Sequence, residues 1–152
     1  MPLASAQVVD ALAARLSGNT AAGTRVYTSR AWPLAEAGLP AWKVIAADES
    51  LTPQTVDGDE LEHSLSVELQ GYAKALANLD DSLHALASSA LSNVFNPTGG
   101  PDALSALLTQ VSLSAQRIER AMRADGEAML GLVTLTLRAD FHTRASAPEI
   151  FI

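Results

Sequence analysis

The side chains that could do chemistry in this chain are few and widely separated. Histidines stand at 63, 84 and 142, and none of the 152 residues is a cysteine. The three imidazoles fall on an alternating segment, a helical segment and the end of a late alternating segment. They lack the i, i+4 or short-loop spacing that lets imidazoles share a metal. Without thiols there is no disulfide framework, no cysteine nucleophile and no thiolate metal site. Serines are plentiful, but no Gly-x-Ser-x-Gly turn presents one of them to a base. Thr98-Gly-Gly-Pro101 lacks the Gly-Lys-Ser/Thr ending of a phosphate cradle, and Asp57-Gly58-Asp59-Glu60 does not complete a calcium loop. Asp80 and Asp81 precede His84, yet consecutive helical residues point about 100° apart, so this pair reads as a solvated first turn that complements the helix dipole. The reading is of no enzyme, with no catalytic, metal or cofactor residue.

What stands out instead is architecture. From Leu61 to Gly71, Leu61, Leu65, Val67 and Leu69 face one way and Glu62, Ser64, Ser66, Glu68 and Gln70 the other, a half-buried strand with a wet face. The period then changes. Leu76, Leu79, Leu83, Leu86, Ala90 and Val94 step by three and four, which predicts an amphipathic helix to about Phe95. An earlier helix carries Val8, Val9, Leu12, Ala13 and Leu16, with Ser5 as expected N-cap and Gly18 after its end. Short strands are expected over 25–29 and through Trp42, Val44 and Ala46, separated by a segment bracketed by Pro33 and Pro40. Asp48–Asp59 reads as a polar loop.

Beyond the break at Asn96–Pro101, Asp102 can cap a short helix over Ala103–Leu108. Val111, Leu113 and Ala115 alternate like a strand, with a helical alternative over Ser114–Ala124. Asp125-Gly126 is a turn pair, and Val133, Leu135, Leu137, Ala139 and Phe141 define a clear last strand. The expected fold is α+β in two layers. A mainly antiparallel or mixed sheet of about four to five strands packs on two to three helices, in one domain over 1–152.

Net charge is −7. Between Asp48 and Asp81, nine acids (Asp48, Glu49, Asp57, Asp59, Glu60, Glu62, Glu68, Asp80, Asp81) face a single Lys74. Such a balance argues against sequence-specific nucleic-acid binding, which needs a concentrated basic surface. It also predicts copies that repel one another until salt or a partner neutralises them. No apolar run approaches the ~20 residues of a membrane-spanning helix, and the N-terminus lacks a signal-peptide pattern, so cytoplasmic synthesis is expected. Trp32 and Trp42 flank the proline-bracketed segment, and aromatic residues beside arginines are common anchors of protein contacts. Arg25, Tyr27, Arg30, Trp32 and Trp42 are therefore the candidate interface.

The run Thr24-Arg-Val-Tyr-Thr-Ser-Arg30, then Pro33-Leu34, then Leu39-Pro-Ala-Trp-Lys-Val44 resembles the minor tail protein U family, the tail terminators of long-tailed bacteriophages. The acidic loop, long strand, helix and a closing strand of the type Gly131–Phe141 follow in the family's order. Glu62-His63 stands where the family often shows an arginine. The resemblance implies a structural α/β subunit, without cofactor, that closes into a hexameric ring. The ring would cap the tail tube, stop its growth and present the head-joining surface. Its implied partners are copies of itself, the tail tube protein and a head-completion or connector protein. Its implied locations are the host cytoplasm during assembly and then the virion tail. A head–tail connector or neck protein is the neighbouring alternative, and a small soluble ligand-binding or enzymatic domain the more distant one.

Overall fold

A computed structural model describes residues 3–28, 39–75, 78–95, 107–121 and 129–152. The elements run α1 (Ala4–Leu16), β1 (Val26–Tyr27), β2 (Ala41–Pro53), β3 (Glu60–Ala75), α2 (Leu79–Phe95), β4 (Gln110–Ala121), β5 (Met129–Arg144) and β6 (Ala147–Phe151). One sheet holds six strands in the order β1-β2-β3-β5-β4, with β6 paired to β5. β1 runs parallel to β2 and every other pairing is antiparallel, so the sheet is mixed. The α+β reading holds, but the strand count is six rather than four to five. The extra strand is β6, too short for its alternation to stand out in the sequence.

The alternating residues go where their period sends them. Leu65, Val67 and Leu69 of β3 and Val133, Leu135, Leu137, Ala139 and Phe141 of β5 are buried on one face. Leu12, Leu16, Leu83, Leu86, Ala90 and Val94 of the two helices belong to the same core cluster. Burial of these apolar surfaces is the main stabilising term, roughly 1.5–3 kcal/mol per large side chain. Two strand glycines let α2 sit close: a Cβ on Gly131 would lie 2.7 Å from Leu83, and one on Gly71 would lie 2.9 Å from the Trp42 ring. Buried Arg15 of α1 donates through Nη1 to the carbonyl of Val94, satisfying one of the open acceptors at the end of α2. Gln7 Nε2 donates to the Glu149 carbonyl at 2.8 Å, tying α1 to β6.

Local readings differ in three places. Ser5 lies inside α1; Leu3 takes the cap position, and no side chain bonds there. Residues 48–53, expected in a loop, extend β2 past a bulge between Ala46 and Asp48. Apart from Leu51 and Pro53 they are polar, because this end of the hairpin is exposed on both faces and no alternation is imposed on them. Residues 114–121, left between helix and strand, are strand, paired with β5 across a bulge between Leu113 and Ala115. The helix expected over Ala103–Leu108 and the turn at Asp125-Gly126 fall on or run into residues outside those described. Gly18, at φ 77°, follows the Ser17 C-cap as expected.

Candidate assembly edges

Among the described residues, the sheet is open on two sides. β1 covers β2 only at Trp42 and Lys43, and no other described strand pairs with β2 on that side. From Val44 to Pro53, β2 therefore offers a backbone edge that is free among the described residues. On the far side, β4 pairs with β5 along one flank and with no described strand on the other. Unpaired strand N–H and C=O groups are a template for another strand, which is why long exposed edges are normally blunted. Each edge also carries an exposed leucine, Leu51 at 53% on β2 and Leu113 at 40% on β4. Leu51 pairs with His63 and Leu113 with Leu137, both buried residues, so both leucines project on the helix-bearing face.

Charge differs between the two sides. Every formally charged residue from Asp48 to Glu68 is an acid, whereas β4 bears Arg117 and Arg120 against Glu119. Arg117 Nε lies 2.9 Å from Glu119, and both side chains remain largely exposed. Tyr72, half-buried between the two regions, has its phenol pushed above the usual value of 10.0, first by burial and then by the carboxylates of Glu119 and Glu68.

Toward the turn end of the β2–β3 hairpin, three side chains from three strands form a polar line. His63 Nδ1 lies 2.5 Å from Glu49 Oε1, and its Nε2 lies 2.6 Å from Thr143 Oγ1. A carboxylate can only accept, so Nδ1 donates to Glu49; the Thr143 hydroxyl, which can donate or accept, pairs with Nε2. The ring stacks on Phe141 at 4.5 Å, and Phe141 in turn meets Phe151 at 5.3 Å. Acid, imidazole and hydroxyl in series are the parts of a nucleophile triad. Here the hydroxyl belongs to a residue with 0% exposure, so no substrate carbonyl can approach it. The line fastens β2 to β3 and β5.

Sequence reasoning missed this line because its members are 14 and 80 residues apart and no local spacing connects them. No group of three metal-ligating side chains occurs among the described residues. None of the described helices is long and apolar enough to cross a membrane. At the hairpin tip, the Thr55 hydroxyl donates to Asp57 at 2.5 Å and the Asp59 N–H at 3.1 Å. These two bonds, in that order, hold the Asp57 carboxyl below its usual 3.8.

Of the five predicted interface residues, three lie among the described residues, and one of these, Trp42, is not at the surface. Trp42 is fully buried, and its Nε1 donates to Thr20 Oγ1 at 3.2 Å. Its place as an interface anchor is corrected to the core, because β2 turns its indole inward between Gly71 and Leu86. Arg25, half-buried, spends its Nε on the Pro40 carbonyl at 2.9 Å. Tyr27 lies half-buried on β1 opposite Lys43. Arg30 and Trp32 fall outside the described residues.

No family model and no curated protein sequence matches the chain. Among solved structures, it is similar to a chain described as "Virion of native gene transfer agent (GTA) particle". Identity is 20%, the match covers 93% of this chain and 92% of that one, and the TM-score is 0.48.

Proposed function

We propose that this chain is a structural subunit of a phage-type tail, a tail terminator whose copies close into a ring on the end of the tail tube. The observation that carries the reading is the sheet with two long edges free among the described residues. A body built this way offers surfaces to copies of itself. The residue pattern from Thr24 to Val44, which resembles tail terminators, supports the specific role. So does the nature of the catalytic-looking arrangement found among the described residues, whose hydroxyl is sealed in the core.

On this reading, head-to-tail contacts between identical subunits form a closed ring, six-membered by the family resemblance, when the rotation per subunit divides the circle. One face of the ring meets the tube protein and the other a head-completion protein. Assembly takes place in the host cytoplasm, and the protein ends in the virion tail.

Electron microscopy of tails assembled without this protein tests the role. Overlong tubes are the expected result. Tubes of normal length that fail to join heads would make it a connector instead. Purified protein should also give rings by mass measurement and negative stain when concentrated or docked on tubes.

A further inference from the structure

The free edges of β2 and β4 match each other in direction, length, side-chain type and charge. This match rests on the self-assembling reading above and goes further, to the contact itself. Three successive antiparallel pairings separate β2 from β4, so the two edge strands run in opposite directions. A ring axis roughly along the strands preserves those directions, so β4 of one copy meets β2 of the next antiparallel. The free stretch Val44–Pro53 and the twelve-residue β4 are comparable in length.

One register satisfies the faces on both sides. Placing Leu113 opposite Leu51 brings together the two exposed leucines, which both point to the helix side. Each strand has one bulge, between Ala46 and Asp48 and between Leu113 and Ala115. The two extra residues therefore cancel, and the alternation stays in phase along the contact. Arg117 then falls opposite Asp48; their own-sheet partners, Thr134 and Ser66, put both on the face away from the helices. Ile118 falls opposite Ala46, at the groove of about 460 Å³ that Ala6, Val9 and Ala46 help to line. A one-residue slip would turn each leucine against the wrong face and separate Arg117 from Asp48.

We propose that neighbouring copies join by antiparallel addition of the β4 edge to the free β2 edge, with Leu113 against Leu51 and Arg117 against Asp48. Net repulsion between copies of charge −7 and attraction at this edge coexist, because the first is spread over the surface and the second is local.

The chain contains no cysteine, so two introduced thiols report directly on the register. Facing antiparallel residues have Cα atoms about 4.5–5.5 Å apart, within disulfide range. Oxidation of the L51C/L113C double variant should give a ladder of covalent multimers on non-reducing gels, whereas each single variant stops at the background dimer. The T52C/L113C pair, whose thiols lie on opposite faces, should give no ladder. In parallel, Arg117→Glu should weaken self-association by about fivefold, the upper range of a cross-strand charge pair. Adding Asp48→Arg should restore it. Native ring formation is measured on the unaltered protein in the same buffers. Rings without the L51C/L113C ladder, or equal ladders from both double variants, would overturn this register and leave the ring reading standing. Absence of both rings and ladder, with or without tail tubes, would overturn both.

Discussion

Gly71→Ala isolates the spacing between the sheet and α2. Gly71 lies in β3 opposite Trp42 of β2 and Val133 of β5, on the helix-facing side. The added methyl would sit 2.9 Å from Cη2 and Cζ3 of Trp42 and 3.0 Å from Cδ2 of Leu86. Optimal carbon separations are about 3.5–4.0 Å, so the overlap is at least about half an ångström against both neighbours. The indole is fully buried and held through Nε1 by Thr20, so the plane cannot swing aside without losing that bond. Overpacking of this kind costs about 1–3 kcal/mol. Replacing a strand glycine returns about 0.5–1 kcal/mol through the unfolded chain. The expected net loss is about 1 kcal/mol, within bounds of about 0 and 2.5, or a fall in Tm of about 3 °C for a domain of this size.

Urea unfolding followed by far-ultraviolet circular dichroism measures it, given coincident transitions by a second probe. Trp42→Phe removes both indole atoms that the methyl meets. The double variant should then lose about 1 kcal/mol less than the sum of the singles. A stabilising Gly71→Ala, or strict additivity with Trp42→Phe, would refute the packing argument.

Thr143→Val should destabilise by about 1–2 kcal/mol in urea, because it leaves His63 Nε2 buried without its partner; an unchanged midpoint would remove the polar line from the account of stability. A fluorophosphonate probe should leave the native protein unlabelled, since the Thr143 hydroxyl is enclosed; labelling that His63→Ala abolishes would revive a catalytic role. The Asp57 carboxyl should titrate below 3.8 by carbon-detected NMR, and Thr55→Ala should move its midpoint up. Because its folded-state value is depressed, its contribution to stability is present above that ordinary value and is lost as pH falls through the depressed one. A midpoint at or above 3.8 in the native protein would contradict the two hydrogen bonds at the hairpin tip.

Much of the layered body could be read from the residues in order. Leu65–Leu69 and Val133–Phe141 alternate, Val8–Leu16 and Leu79–Val94 step by helical turns, and each period is a local consequence of having one face buried. Where both faces meet water that signal vanishes. Asp48–Pro53 therefore read as loop, and the stretch from Ser114 as either helix or strand; pairing with β3 and β5 makes both strand. Composition alone marked Trp42 as aromatic beside arginines; its burial depended on Gly71 and Leu86, far along the chain.

The Glu49–His63–Thr143 line and the matched edges belong wholly to tertiary structure. Strand order decides which residues become neighbours across 80 positions of sequence. It also decides which strands are left at the rim with their backbone groups unspent. Amino-acid order by itself determined the layers, the faces and the scarcity of reactive groups; the pairing of strands decided what those faces enclose and where the body stays open.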